Sequence, residues 1–274
     1  MTTAALRYDI ALAADKGQRD YQEDAIAARF SCKQDIGYVV VADGMGGHDA
    51  GDVASRLVAS SWTATIDPQM TTELAPEGAL ADSLPLAAMA ANAAIAAHIE
   101  GNVDSGNMGS TLLGTVFIED RFYWISIGDS PLYLFRDGSL VQINEDHSMA
   151  PNIDSLVAQG VLNVEDARNH PDRNCLTSAL MGAGISRVDC PEHPQEMRPD
   201  DILLVASDGL QHLDDNEIEN ILREQQDTGC QNILERLMQA VRDADVSDKD
   251  NTSLAVIALK RPANLSQAPK HLNS

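Results

Sequence analysis

An apolar strand that ends in an acid and a glycine-rich turn constrains this chain most. Residues 39–42 are all apolar, which is typical of a strand buried on both faces. Asp43 follows directly, and the glycines that begin at Gly44 allow a tight turn. Apolar side chains then recur at helical spacing over 50–58, with Asp49 placed to cap that helix. The corner is either a plain strand–turn–helix connection or a place to hold a hard cation.

Three further acids stand next to predicted strands. Asp208 follows the apolar run 202–206, Asp129 follows an alternating strand, and Asp250 precedes a last apolar run. Acids at the ends of separate strands indicate a polynuclear metal site, and carboxylates with a glycine carbonyl favour Mg²⁺ or Mn²⁺. Two such ions about 4 Å apart can orient a hydroxide for in-line attack on phosphorus.

An arginine beside such ions could hold phosphate oxygens with two parallel hydrogen bonds. Arg19 lies about one helical turn before Glu23 and Asp24, in a loop crowded with charge, and it fits that need. The alternative is that Arg19 only pairs with a neighbouring surface acid, which is the usual fate of such charge runs.

Length and charge narrow the classes of protein. The chain has 274 residues, 44% of them hydrophobic, so it can build one large domain or two small ones. A formal net charge of -23 argues against nucleic acid and anionic membrane as partners. We expect no membrane-spanning run and no secretory signal. The cysteines, at 32, 175, 190 and 230, form no CxxC pair, which predicts reduced thiols in a cytoplasmic protein.

Hydrophobic periodicity predicts the first half of the chain in order. A first strand is expected over 8–14, and the helix after the glycine-rich turn is expected to end near Trp62. Residues 67–83 carry Pro, Gly and Asp and are predicted as a loop. The next helix should begin at a Ser83 cap and end before Gly101.

The second half changes pattern. From 112 to 143 the period is two, with turn residues at 119–120 and 137–138, which predicts a meander in an antiparallel sheet. Residues 146–185 are polar and turn-rich, and we expect a mobile subdomain of short helices that contacts substrate. A capping box at 214–217 predicts the start of a later helix.

Other phosphate-handling classes fail on spacing. A Walker loop needs a lysine after its glycines, where His48 stands, and the dinucleotide fingerprint lacks its third glycine. Met45 occupies a ligand position of a calcium loop, and no GxSxG supports a serine hydrolase. Zinc is disfavoured because the convergent groups are carboxylates. His147, His170 and Arg173 are interpreted as ordinary surface residues.

In their order along the chain, these motifs resemble the metal-dependent PPM (type 2C) serine/threonine protein phosphatases in their bacterial form. The matching segments, between about residues 8 and 259, are Arg19 with Glu23-Asp24, Asp43 to His48 with Ala50-Gly51 and Ala54-Ser55, Gly109-Ser110-Thr111, Gly128-Asp129-Ser130, Asp146-His147-Ser148, Arg173-Asn174 with Leu176-Thr177, Ser207-Asp208-Gly209-Leu210, and Asp250-Asn251. Each segment alone is weak evidence, whereas the combination is highly specific.

The resemblance implies a fold. It is an α+β, four-layer α-β-β-α sandwich of two antiparallel sheets flanked by helices, with the metals between the sheets at one end. A single phosphatase domain would cover 1–260, with a flap subdomain at about 148–175 and a loose tail over 261–274.

The resemblance also implies a set of ligands for two tight Mn²⁺ or Mg²⁺ ions. Asp43 would bridge the two ions, with Asp208 and Asp250 completing the first site. Glu23 and the Gly44 carbonyl would complete the second site.

Further roles follow from the same resemblance. Asp129 would hold a third, weaker metal together with Asp208, and Arg19 would bind the phosphate. Asp24, through metal-bound water, and Asn251 would support the site from behind the ligands. The implied catalytic residues are Arg19, Asp43 and Asp208.

Two departures from the family pattern bear on the chemistry. Eukaryotic members carry a histidine where this chain, like bacterial members, has Met45, so the leaving group would take its proton from metal-bound water. His48 is not assigned that role. The usual Gly-Asp-Ser-Arg becomes Gly-Asp-Ser-Pro at Pro131, which alters a strand-edge contact and leaves Asp129 available.

The predicted function is hydrolysis of phosphoserine and phosphothreonine in proteins by a metal-bridging hydroxide, without a covalent intermediate. The expected partners are phosphorylated proteins, the products of a cognate Ser/Thr kinase, and we expect a cytoplasmic monomer. Two alternatives stay open: a catalytically weak phosphoprotein-binding regulatory module on the same fold, and a hydrolase of small phosphate esters.

Overall fold

Two antiparallel sheets packed face to face, each covered by two helices on its outer side, make up the fold. The computed structural model describes residues 7–31, 35–47, 49–71, 77–102 and 107–259. The strands within these residues are β1 (Tyr8–Asp15), β2 (Asp24–Ser31), β3 (Ile36–Met45), β4 (Gly109–Ser110), β5 (Leu112–Ile118), β6 (Arg121–Ile127), β7 (Leu132–Arg136), β8 (Ser139–Gln142), β9 (Gln195–Glu196), β10 (Ile202–Ala206) and β11 (Thr252–Leu259). The helices are α1 (Asp49–Thr71), α2 (Glu77–Gly101), α3 (Ala150–Ala158), α4 (Val164–Arg168), α5 (Asp215–Gln225), α6 (Cys230–Asp243) and a 3₁₀ turn (Asp208–His212). The predicted four-layer α+β sandwich is confirmed.

The two sheets draw strands from both ends of the chain. The first sheet has the order β1-β11-β10-β7-β8, and the second has β2-β3-β5-β6-β9 with β4 paired to β3. Neighbouring strands run antiparallel. In the first sheet Tyr8 pairs with Leu259 and Asp15 pairs with Thr252. Residues 252–259 therefore have to be present before this sheet can close.

Side-chain alternation along β3 explains why the strand contributes to two hydrophobic cores and where the Asp43 carboxylate points. Val40 and Ala42 belong to the core under α1 and α2, whereas Val39 and Val41 belong to the core between the sheets. Successive side chains of a strand point to opposite faces, so the Asp43 side chain points to the same face as Val39 and Val41. The strand thus aims this carboxylate into the space between the two sheets.

The helices on the first sheet match their sequence pattern. Asp214 accepts a hydrogen bond from the Glu217 N–H at 2.9 Å, and the Glu217 carboxylate accepts one from the Asp214 N–H at 2.9 Å. This confirms the predicted capping box. Ile218 of α5 and Leu237 of α6 are fully buried against the sheet.

The loop predicted over 67–83 is wrong. Helix α1 continues to Thr71 with Pro68 inside it, and α2 begins at Glu77. Proline removes one helical hydrogen bond and usually marks a helix end. Here Met70 is buried against the core beyond the proline, so tertiary packing keeps the last turn helical.

Helix α2 corrects two further expectations. Ser83 lies buried inside it and donates its hydroxyl to the Leu80 carbonyl at 2.6 Å, so it is not a cap. The stretch Gly78–Gly101 has a mean hydropathy of 1.4, long and apolar enough to cross a membrane by length and composition, contrary to the expectation of no such run. This measure is weak evidence, because core helices of soluble proteins also meet it. Packing against α1 and the second sheet buries Leu84 and Ile95 of α2, whereas Leu86 and Met89 are 60% and 64% exposed.

The predicted meander is right in its hairpins and wrong in its sheet. The turns of β5–β6 and β7–β8 have positive φ at Glu119 (56°), Asp137 (53°) and Gly138 (81°), as tight hairpins require. However, β6 and β7 lie in different sheets, and the chain crosses between them over 128–131. A period of two identifies a strand but does not identify its partner.

The polar segment 146–185 leaves the sandwich between β8 and β9 and contains α3 and α4, as expected for short helices. Ser148 forms an isolated antiparallel bridge with Leu176, so the two ends of the stretch 148–176 lie side by side. The predicted tail over 261–274 and the side chains of His48 and Asp49 lie outside the described residues.

Candidate metal centre

A cleft of about 750 Å³ opens at the end of the sandwich where β3 and β10 finish. Both sheets contribute to its floor, and residues 174–186 form one wall. Eight of the predicted site residues line it: Arg19, Glu23, Asp43, Gly44, Asp129, Asp208, Asp250 and Asn251. The ninth, Asp24, is buried with 7% exposure. The structure therefore brings the whole predicted set to one place.

A serine hydroxyl joins the acids of the two sheets. Asp24 and Asp43 are direct partners across β2 and β3. Ser207 donates its hydroxyl to Asp24 Oδ2 at 2.7 Å and accepts the Ser253 N–H at 2.8 Å. Because Ser207 immediately precedes Asp208, this contact fixes the end of β10 against the start of β2.

Thr111 holds the backbone of Asp43 from the other side. Its hydroxyl accepts the Asp43 N–H at 2.9 Å, and its own N–H donates to the Asp43 carbonyl at 2.8 Å. The same hydroxyl is 2.8 Å from the Ser130 hydroxyl, next to Asp129. Thr111 thus holds the Asp43 backbone directly and contacts the residue that follows Asp129.

Two glycines allow β3 and α1 to close around Glu23. A Cβ atom on Gly44 would lie 2.0 Å from the Gly51 carbonyl oxygen, and one on Gly51 would lie 2.5 Å from Glu23 Oε1. The Gly44 N–H also donates to the Glu23 carbonyl at 3.1 Å. Glycine is therefore required at both positions for this approach.

Arg19 reaches into the cleft and meets Asp250. Its Nη2 donates to Asp250 Oδ2 at 2.9 Å, with the two side chains 41% and 37% exposed. The Asp250 N–H donates to His212 Nε2 at 2.9 Å. Burial lowers the pKa of His212, which agrees with a neutral imidazole that accepts this bond. The backbone at Asp250 is therefore fixed while its carboxylate faces the cleft.

Asn251 ties the start of β11 to the loop that carries Arg19. Its Oδ1 accepts the Glu23 N–H at 2.6 Å, and its Nδ2 donates to the Lys16 and Tyr21 carbonyls at 2.8 and 3.0 Å. The side chain thus supports residues on both sides of Arg19, as expected for a supporting residue.

The acids of the cleft oppose one another electrostatically. Burial raises the pKa of Asp43 well above its usual range, and the charges of Asp208 and Asp24 raise it further. Burial and the Asp208 charge raise the pKa of Asp129 to about 8 and that of Asp24 to about 7. For Asp208, burial and the Asp250 charge raise the pKa to about 6. A divalent cation would remove this repulsion.

The donors present fit a hard divalent cation. Asp24 Oδ1 and Asp208 Oδ1 are buried and accept no hydrogen bond. Within the described part of the chain, no three acidic, histidine or cysteine side chains are arranged to hold a metal ion by themselves. Carbonyl and water ligands would therefore have to complete a coordination shell, which suits Mg²⁺ or Mn²⁺ better than a metal that needs a full protein cage.

Two residues expected at the surface are structural. His147 is fully buried, where its Nδ1 accepts the Gly128 N–H at 3.2 Å and its carbonyl accepts the Thr177 N–H at 2.7 Å. Arg173 holds Asp154 through two hydrogen bonds of 2.7 and 3.0 Å, within the segment 146–185. The surface interpretation of His147 is wrong.

Three supporting residues had no assigned role in the sequence. Thr111 and Ser207 lie in the family motifs, so the sequence contained a signal for them. His212 belongs to no recognised motif, and its contact with the Asp250 backbone spans 38 positions. Only the fold reveals it.

The fold and the cleft define a class: a two-sheet α+β sandwich with an acid-lined site suited to divalent cations. The family model described as Protein phosphatase 2C matches residues 16–256, most of the chain. This chain belongs to the protein phosphatase 2C family, and its likeness to bacterial members is confirmed.

Named relatives give the same result. The chain is 37% identical over 209 residues to serine/threonine protein phosphatase PstP of Mycobacterium tuberculosis, covering 76% of this chain and 37% of that protein. It is 34% identical over 214 residues to serine/threonine phosphatase Stp of Listeria welshimeri, covering 76% and 81%. A solved structure of the PstP catalytic domain in complex with two manganese ions has a TM-score of 0.72 at 31% identity, covering 93% of this chain and 100% of that one.

Proposed function

We propose that this protein is a metal-dependent serine/threonine phosphoprotein phosphatase. The observation that carries the proposal is the convergence of Asp43, Asp208 and Asp250, from two sheets, on a cleft that also contains Arg19. Membership in the protein phosphatase 2C family supports the same reaction. The full set of acids also disfavours a regulatory module that has lost catalysis.

The proposed ligands divide into two tight sites and one weak site. Asp43 is the bridge, Asp208 and Asp250 complete the first site, and Glu23 with the Gly44 carbonyl completes the second. Asp129 holds a third, weaker ion together with Asp208. The PstP structure with two manganese ions supports two tight sites and Mn²⁺, while Mg²⁺ suits the same oxygen donors. Asp24 and Asn251 support these ligands from behind.

Bound divalent cations would supply an activated water and draw charge from the phosphoryl group. Arg19 binds the phosphate oxygens and orients the phosphorus over the acids. Hydroxide then attacks phosphorus in line with the seryl or threonyl oxygen, and that P–O bond breaks without a covalent enzyme intermediate. Met45 has no proton to donate, so the leaving oxygen takes its proton from water in the cleft.

The proposed substrates are proteins phosphorylated on serine or threonine by a cognate kinase. The segment 148–175 would act as a flap that contacts the substrate, within a single domain over 1–260. We also propose a cytoplasmic monomer. Free thiols at Cys175 and Cys190 agree with a reducing compartment.

A phosphate-release assay tests the proposal. A phosphothreonine peptide is incubated with the protein and Mn²⁺, then with chelator, then with excess Mn²⁺ restored. We expect release that the chelator abolishes and the metal restores. Peptide binding without turnover would instead indicate a regulatory module, and release from a small aryl phosphate alone would indicate a hydrolase of small esters.

A further inference from the structure

The loop that carries Arg19 is fastened to the loop that carries Asp250 by two amide side chains, Gln18 and Asn251, here called the amide latch. Asn251 binds the two ends of the first loop, as described above. Gln18 binds in the opposite direction: its Oε1 accepts the N–H groups of Asp248 and Lys249 at 3.0 and 3.1 Å. The Gln18 N–H also donates to the Lys249 carbonyl at 2.9 Å.

The two loops touch backbone to backbone at the latch. Gly17 has φ +61°, and a Cβ atom there would lie 2.3 Å from the Asp250 carbonyl oxygen. Asp248 has φ +65°, a left-handed conformation that few residues other than glycine adopt. In this conformation its own N–H and that of Lys249 both meet the single oxygen of Gln18.

Helix α6 supports both sides of the contact. Arg242 donates from Nη1 to Asp15 Oδ2 at 3.1 Å, at the start of the Arg19 loop. Its carbonyl accepts the Lys249 ammonium at 2.6 Å, in the Asp250 loop. Both loops are therefore anchored to the end of α6 through Arg242. Gln18 adds a direct contact between the two loops.

We propose that Gln18 is a positioning residue that sets the separation between Arg19 and Asp250. The inference rests on the proposed function, in which one residue grips the phosphate and the other holds the metal. Both must reach the same phosphoryl group, so the distance between their loops decides whether they act together. Gln18 adjoins Arg19 in the chain and binds the two residues before Asp250.

If Gln18 positions the loops, its effect depends on the acceptor oxygen of its side chain. A general surface contact would depend only on the size of the side chain. Two N–H donors need an acceptor of this length, which glutamate supplies and methionine does not. Gln18→Glu should therefore keep the contact, while Gln18→Met, of similar length, should lose it. Gln231 offers a matched control, because its amide donates to Glu235 at 2.8 Å on the exposed side of α6.

The experiment compares Gln18→Met, Gln18→Glu and Gln231→Met with the wild type. For Gln18→Met we expect KM for a phosphothreonine peptide at saturating Mn²⁺ to rise roughly three- to tenfold, the scale of one lost hydrogen-bonded contact. Calorimetry without substrate should show weaker Mn²⁺ binding by Gln18→Met. Gln18→Glu should restore both quantities toward wild type, and Gln231→Met should leave both unchanged.

The inference is overturned if folded Gln18→Met matches the wild type in KM and Mn²⁺ affinity, or if Gln18→Glu is as impaired as Gln18→Met. Should Gln18→Met not fold, Gln18→Asn replaces it, since its shorter side chain stays polar but withdraws the amide oxygen from the N–H groups of Asp248 and Lys249. If the wild-type protein releases no phosphate, the proposed function is refuted. The Mn²⁺ calorimetry still decides the role of Gln18 in that case.

Discussion

The floor and the rim of the cleft are built in different ways. The floor acids are fixed by secondary structure and burial. Asp43 lies within β3 and Asp24 opens β2, and Thr111 and Ser207 hold them by hydrogen bonds. The rim consists of the Arg19 loop and the segment 146–185, where side chains such as Val161 are 70% exposed. Side chains fixed on strands hold a more precise geometry than side chains on loops. We therefore expect the chemistry to depend on the floor and substrate recognition to depend on the rim.

The largest effect is expected at the floor. Asp43→Asn and Asp208→Asn should each lower turnover at least a hundredfold, about 2.7 kcal/mol, because each removes charge from the metal site. Each also relieves repulsion among buried acids, so thermal unfolding of the metal-free protein should occur at no lower temperature. Normal Mn²⁺ binding with more than about a tenth of the activity, a loss under ~1.4 kcal/mol, would refute the binuclear assignment.

The second-largest effect is expected at Arg19, the rim residue that we propose binds the phosphate. Arg19→Ala should cost roughly 1.5–3 kcal/mol in kcat/KM on a phosphopeptide, the value of a charge-assisted contact. Arg29→Ala is the control, because Arg29 pairs with Asp67 at 2.9 Å and is similarly exposed. If Arg19 is only half of a surface ion pair, the two variants will have equal kinetics.

A substitution of Asp129 tests whether this residue holds a third metal ion or is only a turn residue at the edge of the floor. Asp129→Ala should reduce turnover roughly three- to tenfold and shift its dependence on Mn²⁺ concentration, because a site with few carboxylates binds loosely. The fold and the two tight ions should remain. Activity titrated against Mn²⁺ decides the matter: superimposable curves for variant and wild type would exclude the third-metal role.

The smallest effect on chemistry is expected on the flap. Val161→Ser and Val164→Ser, at positions 70% and 56% exposed, should change activity on phosphoproteins while leaving a small aryl phosphate unaffected. Stability should stay within about 0.5 kcal/mol, as for other surface changes. Val141→Ser, at an exposed position of β8, is the control. Equal losses on both substrates would contradict recognition by the flap.

The sequence predicts the floor better than the rim, for a physical reason. Alternation along a strand is local, so the direction of Asp43 follows from its immediate neighbours. The contacts of the rim are not local: Gln18 meets Asp248 across 230 positions, and no pattern in either segment indicates the other. The same limit explains the missed role of His212.

Packing also overrides local preference in two places. Pro68 is typical of a helix end, yet burial of Met70 keeps α1 helical beyond it. The strands on either side of 128–131 have the spacing of a hairpin, yet they join different sheets because β6 pairs with β9 and β7 with β10. In both cases the deciding contacts lie far away along the chain.

The strand order of the first sheet has a consequence for synthesis of the protein. Among the described strands β1 is made first, and its neighbour in that sheet, β11, is made last, directly after Asp250 and Asn251. A nascent chain thus carries Arg19 and Asp43 long before it can place Asp250 beside them. Fragments cut short before residue 250 would lack Asp250, a proposed ligand, as well as β11. The proposed metal site can therefore be completed only after translation has passed residue 250, just before β11.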